Sequence, residues 1–254
     1  MKKFLGLLTF FLLTISSVFS ADMRFIQVDG VLLNYKDTKP FEILVEKINN
    51  EKNVEFVVFT GNNLKKASLE NLDLFTFILK KINKKTYVLL GNQDVLSSSG
   101  VDKEYYYSRV SRALKKHSKK PNFTFEKKGY VFVAMDGSKQ FFQSSNGYYT
   151  KNELMWLNKT LDENKDKKVI ILQHFPLLKA ETKWNETKNT EEYNEILANY
   201  TNIKAIVSGH FNKNIEQYEN NILHIITQSA SNNWAYKIIQ IDLNDDFIST
   251  YLVK

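Results

Sequence analysis

The sequence predicts an α/β fold in which strands and helices build a layered sandwich. Short runs rich in β-branched and aromatic residues alternate with amphipathic stretches along the chain. In the first half, strands and helices alternate, which predicts parallel pairing of successive strands. In the last third, strands follow one another without a helix, which predicts antiparallel hairpins. The length of 254 residues, with 43% hydrophobic and 25% charged residues, fits a single globular domain.

The predicted elements follow from hydrophobic periodicity and from the residues that flank each run. The predicted strands are 24–28, 55–60, 86–90, 130–135, 168–173, 204–208, 222–227, 236–241 and 247–252. The predicted helices are 40–50, 69–82, 103–114, 151–164 and 191–200. The fourth helix has the clearest start, because Thr150 and Glu153 have the spacing of a capping box.

Composition excludes several classes of function. The chain has no cysteine, which excludes disulfides, thiol nucleophiles, cysteine-ligated zinc and a lipoprotein anchor. Its formal charge is +7, but only three of the 35 basic residues are arginine, the residue that nucleic-acid binders use for bidentate contacts. We therefore expect no nucleic-acid partner.

The first twenty residues have the pattern of a cleavable signal peptide. Lys2 and Lys3 precede an apolar run, and small residues near Ser20 fit cleavage before Ala21. The apolar run is short for a membrane span of about 20 residues, although an uncleaved anchor is the alternative. We expect a signal peptide at residues 1–20, a domain at 21–254, a secreted or periplasmic bacterial protein, and no membrane contact after cleavage.

Four predicted strands run directly into small polar clusters. Ligands of open α/β sheets bind beyond the carboxyl ends of strands, and glycine at such a position allows close approach of the backbone. Two of the four histidines of the chain lie in these clusters. The clusters are Gly61-Asn62-Asn63, Gly91-Asn92-Gln93-Asp94, His174-Phe175-Pro176 and Gly209-His210-Phe211-Asn212.

These clusters, in this order, resemble the strand-end motifs of the calcineurin-like metallophosphoesterases. The pattern of that family is Asp-x-His, Gly-Asp, Gly-Asn-His-Asp/Glu, a lone His, and Gly-His-x-His. The resemblance covers essentially the whole of residues 21–254. It implies a four-layer α/β/β/α sandwich of two mixed sheets, and a centre of two divalent metal ions.

The motifs are degenerate at the positions that the resemblance assigns to the metals. The second metal would be held by Asn62, Asn92, His174 and His210, with Asn62 in place of the bridging aspartate. The first metal would be held by Gly30, Leu32, Asn62 and Asn212, none of which is a carboxylate or an imidazole.

The proton donor of the family is also replaced, by Gln93, and an amide cannot transfer that proton near neutral pH. Asp29 is a weak candidate for the motif-one aspartate, because a slip of one residue normally turns a side chain to the opposite face unless a bulge restores it.

Several of these residues also have plain structural readings. Asn92 and Asn62 could each simply form a turn, Asp94 is expected to cap backbone amides, and Asn212 is expected to be a loop residue. His224 lies inside an apolar strand and His117 near a lysine-rich helix end, so neither is expected to be catalytic. The polar segment 179–189 could overhang the site as a lid, but an ordinary surface loop is the preferred reading.

Two functions from different classes follow. The first is a pseudoenzyme, a binding module for a phosphorylated small molecule or a protein partner, with weak or no phosphoester hydrolysis. The alternative is a hydrolase with one metal ion (Zn, Mn or Fe) that acts on phosphomonoesters or phosphodiesters. Two dications need a bridging anion, and the neutral Asn62 does not supply one. The expected cofactor is therefore one divalent metal ion or none.

Overall fold

A computed structural model describes residues 22–254, and the expected signal peptide at residues 1–20 lies outside them. Eleven strands and five α-helices are described. The strands are β1 (Asp22–Val28), β2 (Phe56–Phe59), β3 (Thr86–Val88), β4 (Phe123–Lys127), β5 (Tyr130–Met135), β6 (Lys168–Gln173), β7 (Ile203–Ser208), β8 (Ile215–Glu219), β9 (Ile222–Ile226), β10 (Tyr236–Asp242) and β11 (Ile248–Val253). The helices are α1 (Lys39–Asn50), α2 (Leu69–Leu79), α3 (Lys103–Ala113), α4 (Lys151–Glu163) and α5 (Thr190–Leu197).

The strands form two mixed sheets. The first has the order β11-β10-β1-β2-β3, and the second has the order β4-β5-β6-β7-β9-β8. In the first sheet β1, β2 and β3 are parallel, as the alternation of strands and helices predicts. In the second sheet β5, β6, β7 and β9 are parallel. Their carboxyl ends therefore lie at one edge of each sheet, where the polar clusters follow.

The hydrophobic core shows how the layers are stacked. One buried cluster joins α1, α2 and α3 to the first sheet and continues to the inner face of the second sheet. There Phe25 and Phe56 of the first sheet pack edge-on against Phe132 of the second. A second cluster joins α4 and α5 to the outer face of the second sheet. The predicted four-layer α/β/β/α sandwich of two mixed sheets is confirmed.

Helix α4 begins as the sequence predicts. The Thr150 side chain accepts a hydrogen bond from the backbone N–H of Glu153, and the Glu153 carboxylate accepts one from the backbone N–H of Thr150. Leu154, Leu157 and Leu161 then form the buried stripe that packs on the second sheet.

The prediction of antiparallel hairpins in the last third is only partly right. β10 and β11 do form a hairpin. β9, however, pairs in parallel with β7 and in a hairpin with β8, which the sequence analysis missed. The chain then crosses from β9 to β10 in the other sheet, where β10 pairs antiparallel with β1. None of the helices among residues 22–254 has the length and apolar character needed to cross a membrane.

Candidate functional site

The candidate site lies where the carboxyl ends of both sheets meet. Asp29 follows β1, Asn62 follows β2, Asn92 follows the end of β3, His174 follows β6 and His210 follows β7. Parallel strands end at the same edge, so five sequence-distant loops converge there. Asn62 and His210 adopt left-handed backbone conformations, with φ of 50° and 65°, which turn the chain sharply after each strand.

Glycines allow this convergence. A Cβ atom on Gly61 would lie 2.6 Å from the backbone nitrogen of Gly91 and 2.7 Å from Nδ1 of His174. A Cβ atom on Gly209 would overlap the carboxylate of Asp29. Both positions therefore require glycine, because Gly61 lies against the Gly91 backbone and the His174 ring, and Gly209 lies against the Asp29 side chain.

His174 is the centre of a hydrogen-bonded chain. It is fully buried, its Nδ1 lies 2.9 Å from the carbonyl oxygen of Thr60, and its Nε2 lies 3.2 Å from Nδ1 of His210. A carbonyl can only accept, so His174 donates to Thr60 through Nδ1, and in the contact between the two rings one nitrogen donates to the other. Both ring nitrogens of His174 are therefore engaged by the protein itself.

His210 is left with one unpartnered nitrogen. Its Nε2 is buried and has no hydrogen-bond partner among residues 22–254. Burial and the neighbouring His174 ring lower the pKa of His210 to about 3, against a smaller opposing effect of the Ser145 backbone. The ring is neutral at physiological pH, so one of its two nitrogens carries a proton and the other is an acceptor.

Asp29 belongs to the site, contrary to the expectation that its side chain would face away. One carboxylate oxygen accepts from the Thr60 hydroxyl at 2.9 Å and lies 3.4 Å from His174 Nδ1. The other oxygen lies 3.2 Å from the backbone nitrogen of His210, which donates to it. Gln27, two residues earlier on the same face, also contacts Thr60, so no bulge is needed to bring Asp29 inward.

Asn62 and Asn92 differ in what their amide oxygens do. The Asn62 oxygen accepts from the backbone N–H of Gln93 at 3.0 Å, so it ties the β2 loop to the β3 loop. The turn reading of Asn62 is therefore satisfied by protein atoms. The Asn92 oxygen is buried and has no partner in the described part of the chain.

Asp94 organises the loop, as the sequence analysis expected. Its two carboxylate oxygens accept hydrogen bonds from the backbone N–H groups of Leu64 and Gly91 and from the side chain of Asn63. Burial nevertheless raises the pKa of Asp94 to about 7, and these hydrogen bonds only partly oppose that shift.

The positions that the resemblance assigns to the first metal are occupied by loop contacts. The Asn212 oxygen accepts from the backbone N–H of Ser229 at 3.1 Å and from the Asn232 side chain at 2.7 Å. The Ser229 hydroxyl donates to the Gly30 carbonyl at 2.6 Å. Asn212 is an exposed loop residue, as expected.

The two-metal centre that the resemblance implies does not fit these residues. Among residues 22–254, no group of three or more His, Cys, Asp and Glu side chains is arranged to hold a metal ion. Asp29 and His210 lie on opposite nitrogens of the His174 ring, so the three cannot converge on one ion without a rearrangement. Two buried atoms, Asn92 Oδ1 and His210 Nε2, have no hydrogen-bond partner in the described residues.

Sequence reasoning missed two residues of this network. Gln27 donates to Thr60 and to the Ser208 carbonyl at 2.8 Å, and accepts from the Thr227 hydroxyl at 2.6 Å, so it joins the two sheets behind the histidines. The available signal was a polar residue inside an apolar strand. The second missed residue is Thr60, at the tip of β2, whose hydroxyl donates a hydrogen bond to Asp29.

The other two histidines lie outside the site. His117 is buried, accepts from the Val88 backbone N–H at 2.9 Å and contacts the Ser118 carbonyl at 2.7 Å. His224 is buried in β9 and pairs in register with Ile206 of β7.

Segment 179–189 pairs with the loop at 144–149. The backbone N–H of Gly147 donates to the Glu186 carbonyl at 3.1 Å, and that of Lys188 donates to the Gly147 carbonyl at 3.0 Å. The Phe175 ring packs against both the Gly147 position and the His210 ring, with its centroid 4.8 Å from that of His210. The segment is thus one half of a two-loop structure beside His210.

Comparison with known proteins agrees with this fold. The chain is 24% identical over 191 residues to the 3',5'-cyclic adenosine monophosphate phosphodiesterase CpdA of Haemophilus influenzae, a match that covers 72% of this chain and 64% of the relative. Its fold is similar to that of a dimetal phosphatase from Danio rerio, with a TM-score of 0.66 and 14% identity, over 86% of this chain and 95% of that one. It is also similar to GAP50, the anchor in the inner membrane complex of Plasmodium, with a TM-score of 0.58 and 15% identity, over 92% of this chain and 84% of that one.

The sequence of residues 35–213 matches the calcineurin-like phosphoesterase family, and that range is more than half of the chain. Proteins of this family typically depend on divalent metal ions. The chain belongs to the calcineurin-like phosphoesterase family.

Proposed function

We propose that this protein is an exported pseudoenzyme of the calcineurin-like phosphoesterase family, a binding module with weak or no phosphoester hydrolysis. The observation that carries the proposal is the state of His174. Both of its ring nitrogens are used inside the protein, by the Thr60 carbonyl and by His210, where a metal ion would need one of them. In this proposal the hydrogen-bonded chain replaces the metal centre of the family pattern.

Charge supports the same conclusion. The bridging position holds Asn62, whose oxygen is already bonded to the Gln93 backbone. A hydroxide nucleophile between two dications needs an anionic bridge, and a leaving oxygen needs an acid. Neither Asn62 nor Gln93 can supply these functions.

The proposed ligand is a phosphorylated small molecule or a protein partner, and nucleic acid is not expected. The fold is compatible with a role other than hydrolysis, since one protein with a similar fold is described as an anchor. Export to the periplasm or medium rests on the signal-peptide pattern of residues 1–20.

A hydrolase with one metal ion is the second candidate. It is favoured by two buried atoms that have no hydrogen-bond partner in the described residues, Asn92 Oδ1 and His210 Nε2. A hydrolytic role is also suggested by the relative named as a cyclic AMP phosphodiesterase. This function would require the hydrogen bond between His174 and His210 to open.

Hydrolysis assays separate the two candidates. Purified protein is incubated with p-nitrophenyl phosphate and with bis(p-nitrophenyl) phosphate in the presence of Mn²⁺, Zn²⁺ or Fe²⁺. We expect that the wild type hydrolyses these substrates no faster than the variants His174→Ala and His210→Ala. His224→Ala, which removes a histidine outside the site, is the control. Turnover that is lost in both site variants and kept in the control would establish the hydrolase and contradict the pseudoenzyme.

A further inference from the structure

Four exposed aromatic side chains lie in the two-loop structure beside His210 or just before it: Tyr148 and Trp184 belong to its two loops, and Phe141 and Phe142 precede the loop at 144–149. Phe141 is 78% exposed, Phe142 59%, Tyr148 41% and Trp184 75%. We call these four residues the aromatic rim. Large apolar side chains that cluster on a surface mark places where another surface is bound, whereas scattered ones do not.

Contacts between the two loops hold the rim together. The Ser145 hydroxyl donates to the Trp184 carbonyl, and Gly147 exchanges backbone hydrogen bonds with Glu186 and Lys188. The ammonium group of Lys139 lies 5.2 Å from the Phe142 ring centroid and 5.6 Å from that of Tyr148. Lys139 therefore links Phe142 to Tyr148, and the backbone of Trp184 is held beside the same loop.

The charge around the rim is positive. Lys139, Lys179 and Lys183 have no carboxylate partner in the described residues, whereas Glu186 is paired with Lys188 and Glu181 with Lys213. The whole chain has a formal charge of +7. A second copy of this chain would bring like charges together at the rim, whereas an anionic surface would be attracted to it.

The chemistry of the rim indicates the kind of surface that it binds. Phe141 and Phe142 are adjacent and exposed, and their side chains have no hydrogen-bonding group. Aromatic side chains flanked by lysines are the combination that enters the interface of a lipid bilayer, with the rings at the acyl boundary and the ammonium groups at anionic headgroups.

We propose that the aromatic rim attaches this protein peripherally to an anionic lipid surface. The attachment would insert Phe141, Phe142 and Trp184 and place Lys139 and Lys183 at the headgroups. It revises the sequence-based expectation that the chain makes no membrane contact after residues 1–20 are removed. It does not depend on whether His174 and His210 hold a metal ion.

Vesicle co-sedimentation tests the proposal. Residues 21–254 contain every described helix and strand and the whole described core, so this segment is used to exclude any contribution of the apolar leader. The probes are vesicles of phosphatidylcholine alone and of phosphatidylcholine with phosphatidylglycerol. We expect binding to the anionic vesicles that weakens as salt is raised.

Matched variants identify the surface. The triple variant Phe141→Ser/Phe142→Ser/Trp184→Ser is expected to weaken partitioning more than about tenfold, because each ring loses its burial in the bilayer. Phe77→Ser is the control, since Phe77 on α2 is 59% exposed and has the Lys81 ammonium 5.3 Å from its ring. Circular dichroism is used to check that both variants are folded.

The proposal is overturned if wild-type protein does not bind the anionic vesicles at low salt, or if the triple variant binds as well as the wild type. Sedimentation velocity adds an independent readout. A dimer that the triple variant abolishes, in a protein that ignores vesicles, would assign the rim to self-association instead.

Discussion

Gly209 follows β7 of the second sheet and packs against the side chain of Asp29, which follows β1 of the first sheet. It lies between β7 and His210, and its missing side chain leaves the space that the Asp29 carboxylate occupies. Asp29 can therefore reach the His210 backbone N–H and approach His174 at the same time. A single glycine thus decides whether the network across the two sheets can form.

Gly209→Ala tests this at the residue scale. The added methyl group overlaps Asp29, so we expect a loss of about 2–3 kcal/mol in the free energy of unfolding, measured by urea denaturation. Gly129→Ala is the control. Its φ is +83° but no atom lies within 4 Å of the new Cβ, so only about 1 kcal/mol of backbone strain is expected.

The double variant Asp29→Ala/Gly209→Ala makes the test specific. Removal of the Asp29 carboxylate creates room for the alanine. The double variant should therefore lose clearly less free energy of unfolding than the sum of the losses in the two single variants. Additive effects would contradict the proposed contact.

At the residue scale, part of the candidate site was predictable from the sequence. The order of the strand-end clusters was enough to bring Asn62, His174 and His210 to neighbouring loops. The partners of each side chain were not readable, because Thr60 and Gln27 act across two sheets that only the tertiary fold brings together. Asp29 was undervalued for a related reason: its direction depends on where β1 ends.

At the scale of elements, strands that are buried on both faces were predictable, whereas the two edge strands of the second sheet were not. β5 and β6 are found at the predicted bounds, and their residues are almost all buried. β4 and β8 were missed: each lies at an edge of the second sheet, and only one of their ten residues is buried. A strand with so few buried positions needs few apolar residues, so it leaves no continuous apolar run in the sequence.

The missed strand β8 also explains the error in pairing. It supplies the antiparallel partner of β9, which leaves the other side of β9 free to pair in parallel with β7. Without β8, three successive predicted strands were read as consecutive hairpins.

At the scale of the whole molecule, buried histidines link stability to pH. Burial lowers the pKa of both His117 and His224 to about 4, below the usual 6.5. The unfolded chain therefore binds more protons than the native protein between these values. The stability from each neutral histidine is full above pH 6.5 and is lost as the pH falls towards 4.

The variant His117→Gln tests this linkage, because glutamine has no titratable side chain. Between pH 7 and pH 5, the stability of the wild type relative to this variant should fall by about 2 kcal/mol, measured by urea denaturation at each pH. Asp94→Asn is the control of opposite sign. Because the Asp94 pKa is raised to about 7, the wild type should lose stability relative to that variant as the pH rises from 5 to 8. A difference for His117→Gln that is independent of pH would contradict the neutral buried histidine.

The family membership and the fold of this chain are those of metal-dependent phosphoesterases, while its strand-end residues form a hydrogen-bonded network. The central claim is that this network has taken the place of the metal centre. The most direct test is the metal content of the protein after equilibration with Mn²⁺ or Zn²⁺ and desalting. It is measured by inductively coupled plasma mass spectrometry. We expect much less than one ion per chain, with no difference between the wild type and the variant His174→Ala/His210→Ala. Two ions per chain, or one ion that this variant loses, would contradict the account.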